Sequence, residues 1–128
     1  MANSLSKAEI LRGKDSFLNV FQCGTSIDTV HIRGIFTSEA GKSPIGGIRV
    51  GFAIKRGLLN GVQRNRLKRL MRESYRMNKS ILASSPAQTN VALVFLYSPK
   101  SAAGAANVSL GQIETDVKRI LSKLAAKL

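Results

Sequence analysis

Acidic residues are scarce in this sequence: seven Asp and Glu stand against twenty Lys and Arg, leaving a formal charge of +13 over 128 residues. Such an imbalance costs self-repulsion in a compact chain and does nothing for an enzyme that acts on neutral substrates. The carboxylates are also dispersed. Glu9, Asp15, Asp28, Glu39 and Glu73 stand singly, and only Glu114 and Asp116 are near neighbours. A protein-only metal nuclease needs clustered carboxylates, so that class is disfavoured. Cys23 is the only cysteine and His31 the only histidine, which excludes an internal disulfide and a zinc site of the Cys/His kind. Tryptophan is absent and aromatics make up 5% of the chain, so the core must rest on Ile, Leu, Val, Ala and a few Phe. No apolar run approaches the roughly 18 residues of a membrane span. Residues 1–11 lack the apolar centre of a signal peptide. A reducing, cytoplasmic setting is the expectation.

What is present is positive charge, and its natural complement is a polyanion. Counterion release from phosphates rewards such a surface, which makes nucleic acid the first candidate partner. The length suits a single domain over residues 1–128, with the polar, basic stretch 1–13 as a loosely held arm.

Hydrophobic periodicity gives the elements. Residues 14–22 read as a short helix with Phe17, Val20 and Phe21 at helical spacing, and Gly24 as its left-handed stop. Residues 27–37 are β-branched and aromatic, one strand or two short ones, and 38–47 carry Gly and Pro in loop fashion. Residues 48–55 form a further strand. Asn60 and Gln63 have the form of a capping box opening a helix from about 61 to 82. The continuous apolar run 90–97 (NVALVFLY) suits a strand buried on both faces. A last helix starts near Ser109, with Gln112 completing a second capping box and Ile113, Val117, Ile120, Leu121 and Leu124 as its apolar stripe. These elements make an α+β two-layer domain with a small mixed sheet and a basic crossover helix.

That crossover helix is the most informative segment. Seven of the twenty cations lie between 61 and 79, with Glu73 as the one acid. At roughly 100° per residue, Leu67, Leu70, Met71, Ser74 and Ile81 share one side. Arg64, Lys68, Arg72, Arg76 and Lys79 share the other, joined by Asn65 and Arg69, with Arg66 at the far edge near Glu73. Like charges at i, i+4 weaken an isolated helix by a few tenths of a kcal/mol per pair, and this helix repeats the penalty with little relief. An ordinary solvated face would intersperse Glu with Lys. Arginine predominates, which favours forked grips on phosphate oxygens. No helix-turn-helix or zinc pattern flanks the segment, so backbone recognition of folded RNA fits it better than base reading in DNA.

The stretch RNRLKRLMRESYR (64–76) resembles the signature of the bacterial ribonuclease P protein subunit family. Arg49-Val50-Gly51, Phe17, Phe21 and Gly24 occur in that family's order, and the likeness covers roughly 5–98. The resemblance implies the order α-β-β-β-α-β-α with a left-handed βαβ crossover, a topology shared with a ribosomal-protein domain. It implies two partners, a large catalytic RNA and the 5′ leader of precursor tRNA. It also implies that the RNA, with magnesium ions, performs the cleavage, that the protein alone holds no metal and has no catalytic residue, and that the protein is a monomer on its own. By position, Arg64, Asn65, Arg66, Lys68 and Arg69 match the motif that faces the catalytic RNA. Phe17, Phe21, Phe36, Lys55 and Arg56 match the leader-binding cleft. The segment Lys55-Arg56-Gly57-Leu58-Leu59-Asn60 departs from the family's Lys-Lys followed by Gly-Asn, because the Gly is displaced.

Plainer readings stand beside these. Phe17 and Phe21, at i, i+4, suit core packing as well as base stacking. Tyr75 suits packing, with or without a hydroxyl turned to RNA, and His31 has no second ligand near it in sequence. Two rival functions share the charge: a structural RNA-binding protein of ribosomal type, and a membrane-surface protein with a basic amphipathic helix. Against the latter, Leu67, Leu70 and Met71 are needed to cover a sheet and no Trp is available as an interfacial anchor.

Overall fold

A computed structural model describes residues 14–38, 48–55, 57, 59–78, 81, 91–99 and 108–127. The elements run α1 (Lys14–Cys23), β1 (Thr25–Asp28), β2 (Ile32–Ser38), β3 (Ile48–Ile54), α2 (Gly61–Asn78), β4 (Val91–Tyr97) and α3 (Leu110–Lys127). The apolar run expected to be buried on both faces is β4, and it is an inner strand. β2 pairs with it antiparallel on one side and β3 parallel on the other, giving the sheet order β1-β2-β4-β3. The parallel pair requires a crossover, which α2 supplies.

The β-rich stretch before β3 is two strands. Thr29 breaks it, its backbone N–H and its hydroxyl both donating to the Ile32 carbonyl, at 2.9 and 2.7 Å. β1 then folds back on β2.

The two-residue period of the strands separates two apolar layers. On one face, Ile32, Val50, Leu93, Phe95 and Tyr97 are buried with Leu67, Met71 and Tyr75 of α2 and Ile113, Val117, Ile120, Leu121 and Leu124 of α3. On the other, Ile35, Ala92 and Val94 pack with Val20 of α1, and Phe17 and Ala53 lie half-buried beside them. α2 and α3 therefore share one face, and the short α1 lies on the opposite one.

Both capping boxes are formed. The Gln63 N–H donates to Asn60 Oδ1 at 2.9 Å and the Asn60 N–H to Gln63 Oε1 at 3.1 Å. At α3, the Ser109 N–H donates to Gln112 Oε1 at 2.9 Å and the Gln112 N–H to Ser109 Oγ at 3.3 Å.

Gly24 differs from expectation. It follows α1, but without a positive φ. Its role is close approach instead: a Cβ there would lie 2.7 Å from Ile35 Cγ2 and 2.9 Å from the Phe36 carbonyl, so glycine lets α1 sit down on β2. The positive φ, +80°, belongs to Gly57 in the turn between β3 and α2, which explains glycine at that point.

Candidate nucleic-acid interface

α2 presents two sides of opposite character. Leu67 and Met71 are fully buried, and Ser74, Tyr75 and Asn78 complete the packed side. Tyr75 is core: its ring packs edge-on against Phe52 at 6.4 Å and tilted against Phe95 at 5.8 Å. Leu70, expected to be packed, is only half-buried. Arg64, Asn65, Lys68, Arg69 and Arg72 are exposed. Among the described residues no acid is paired with Arg64, Lys68, Arg69 or Arg72. A cationic stripe without counter-charge thus lies on a helix whose other side is anchored.

Two expected members of the stripe, the exposed Arg66 and the half-buried Arg76, also make contacts within the protein. Arg76 grips Glu73, with Nη2 to Oε1 at 2.6 Å and Nε to Oε2 at 3.2 Å. That hydrogen bond holds the Glu73 carboxyl below its usual range, against the effect of burial, and raises Arg76. So Glu73 neutralises Arg76, three residues on. The Arg66 guanidinium reaches across to α3, donating from Nη2 to the Val108 carbonyl at 2.7 Å, beside the Ser109 cap. Its charge also acts on Tyr97, whose phenol is pushed up by burial, down by Arg66 and up by Asp116. Lys79 and Arg56 lie outside the described residues.

The aromatic cleft is brought together only in part. Phe17 and Phe21 are neighbours on α1, with ring centroids 6.4 Å apart and planes at 41°. Phe17 is half-buried and Phe21 is 40% exposed. Lys55 is exposed, and its N–H donates to the Tyr97 carbonyl at 3.0 Å, prolonging the β3–β4 ladder. By strand parity Lys55 falls with Arg49, Gly51 and Ala53 on the face that carries α1. Phe36 does not join them. It shares its parity with Ile32 and packs into the layer beneath α2 and α3, so grouping it with Phe17 and Phe21 is corrected. Sequence reasoning passed over Gly51 and Ala53, whose small side chains keep this face shallow. The signal was present: from Val50 to Ile54, bulky residues alternate with Gly and Ala.

The described carboxylates are each occupied separately. Asp28 pairs with Arg33 at 2.7 Å, and Glu114 accepts from Asn78 Nδ2 at 3.0 Å. Asp116 is buried and accepts from the His31 N–H at 2.8 Å, with His31 Nδ1 at 3.1 Å from the same oxygen. No group of three His, Cys, Asp or Glu side chains suited to a metal occurs among the described residues. Nor is any described helix long and apolar enough to cross a membrane.

The chain is, then, an α+β domain whose crossover helix carries a one-sided cationic stripe, with an aromatic pair on the opposite face of the sheet. The sequence profile of the ribonuclease P family matches residues 5–125. The ribonuclease P protein component of Chlorobaculum tepidum is 32% identical over 131 residues, covering 95% of this chain and 83% of that protein. The component from Syntrophus aciditrophicus is 34% identical over 82 residues, 64% of this chain and 66% of that one. Among solved structures, the RNase P protein of Thermotoga maritima superposes with a TM-score of 0.71 at 25% identity, over 90% of this chain and 96% of that chain. The chain belongs to the ribonuclease P protein family.

Proposed function

We propose that this chain is the protein subunit of a ribonuclease P, binding the catalytic RNA through the exposed stripe of α2 and the 5′ leader of precursor tRNA on the α1 side of the sheet. The observation that carries this reading is the exposure of Arg64, Lys68, Arg69 and Arg72 without acidic partners among the described residues, on a helix immobilised by Leu67 and Met71. Family membership supplies the RNA partner and the tRNA-processing context.

In this role the arginines neutralise phosphates and fix the orientation of the protein on the RNA. Phe21, with Phe17 beneath it, offers an unpaired leader base a ring to stack on, and Lys55 adds a cation on the same face. With the carboxylates dispersed along the sequence, the RNA is the partner that holds the metal and, with it, performs the cleavage.

The test is reconstitution. RNA-free protein with magnesium is expected to leave precursor tRNA intact, and addition of the catalytic RNA to release the 5′ leader. Log K for the catalytic RNA should fall with log salt by about 0.7 to 0.9 per phosphate contacted. Cleavage by the RNA-free protein, or a flat salt response, overturns the proposal.

A further inference from the structure

α3 has a cationic outer side that the reading above leaves unused. Lys118, Arg119, Ser122 and Lys123 are exposed, together with Gln112 and Thr115 one to two turns earlier. Lysines and arginines late in a helix ordinarily complement its dipole, and acids on the same surface ordinarily balance them. Here neither acid of α3 is paired with Arg119 or Lys123. Asp116 is buried against His31, taking the backbone N–H at 2.8 Å and facing Nδ1 at 3.1 Å. Glu114 accepts from Asn78 of α2 at 3.0 Å and pairs with Lys118 at 3.8 Å. Arg119 and Lys123, one turn apart, are left with no acid paired to either among the described residues. The stripe on α2 is a different surface: Arg66 and Asn78 are the α2 side chains that reach toward α3, and Arg64, Lys68 and Arg72 fall on other flanks of α2.

We propose that the outer side of α3, centred on Arg119 and Lys123 with Lys118 beside them, is a second docking surface for the phosphate backbone of the catalytic RNA. The inference rests on the function proposed above. Three cations with the Ser122 hydroxyl among them match a phosphodiester strand in charge and in hydrogen-bonding capacity, and ask for no base identity, while the Thr115 hydroxyl is given to the Gly111 carbonyl at 2.9 Å. The buried stripe of Ile113, Val117, Ile120, Leu121 and Leu124 holds that surface rigidly to the sheet.

The experiment compares three proteins: wild type, K118Q/R119Q/K123Q on α3, and R64Q/K68Q/R72Q on α2, each titrated with the catalytic RNA across a salt series. Glutamine keeps the helix propensity. The α3 variant is expected to bind roughly tenfold to a hundredfold more weakly at low salt. Its salt slope should be shallower by about 1.4 or more, the loss of two contacts or more. If the α3 variant matches wild type while the α2 variant loses affinity and slope, the α3 surface is overturned and the role of α2 stands. If both variants match wild type, both readings fall. A second readout separates a seated surface from diffuse attraction. An iron chelate tethered to S122C, in a C23S background, should cut the bound RNA at discrete positions. Uniform scission along the RNA overturns the proposal.

Discussion

β4 serves two layers that differ in size and purpose. Its Leu93, Phe95 and Tyr97 enter the thick layer beneath α2 and α3, while Ala92 and Val94 enter the thin one beneath α1. The thick layer stacks Phe52 on Phe95 at 5.8 Å and seals both long helices to the sheet. The thin layer leaves Phe17 half-buried, in one cluster with Ala53 of β3, and Phe21 exposed. Stability is therefore concentrated on one face, and the other is thinner and less covered.

The largest test of that contrast removes bulk from each layer at adjacent positions. Phe95→Ala should cost about 3–5 kcal/mol through transfer and cavity terms. Val94→Ala, losing about two methylene equivalents on the thin side, should cost about 1–2 kcal/mol. Denaturant titration of both variants checks this, and equal losses would show that the two layers carry equal weight.

A second contrast lies within α2. Leu67→Ala should cost about 2–5 kcal/mol and leave the RNA affinity of the folded fraction intact. Leu70 is the weaker probe because it is only half-buried. Arg72→Ala should do the reverse, weakening RNA binding with an unchanged melting temperature, since an exposed cation without an acidic partner adds little stability. Loss of stability in both would mean that the stripe is packed.

On the thin side, Phe21→Ala should leave stability nearly unaltered yet weaken precursor tRNA binding by about 1–3 kcal/mol, the range for one stacked base. Mature tRNA, which lacks the leader, should bind as before. Affinities measured with the reconstituted complex decide it, and parallel loss for both tRNAs would remove Phe21 from a leader site.

The smallest effect concerns pH. Burial raises the Tyr97 phenol above its ordinary value near 10, with Arg66 opposing and Asp116 reinforcing the shift. A raised phenol favours the folded state by binding its proton more tightly there. That contribution is complete below pH 10 and is lost as pH rises through the folded value. Unfolding curves at pH 9 and 11 should therefore diverge more for wild type than for Tyr97→Phe.

Much of this was legible before any coordinates. Both capping boxes, the buried run of β4, the packed stripe of α3 and the two-sided α2 follow from local chemistry and from periods of 3.6 and 2 residues, and they stand where those periods put them. Strand parity was harder to use. Phe36 lies near the aromatic helix in sequence order, but one residue of register sends it to the opposite face. At Gly24 the constraint is contact with β2 rather than a left-handed backbone, and no local pattern announces it.

By itself the sequence determined the sign of the partner and the helix that meets it, because net charge and helical periodicity are properties of the chain alone. Which cations remain available was decided only in three dimensions. A charge is cancelled by whatever lies within a few ångströms, and Coulomb attraction and hydrogen bonding take no account of sequence separation. Arg66 is engaged by a carbonyl 42 residues away, and Asp116 is held by His31 across 85. Those long-range contacts, made when α3 packs beside α2 and against the β1–β2 turn, tie one nitrogen of Arg66 to the chain just before α3. They also hold Asp116 against His31 and draw Glu114 toward Asn78, leaving Arg119 and Lys123 without a described counter-charge.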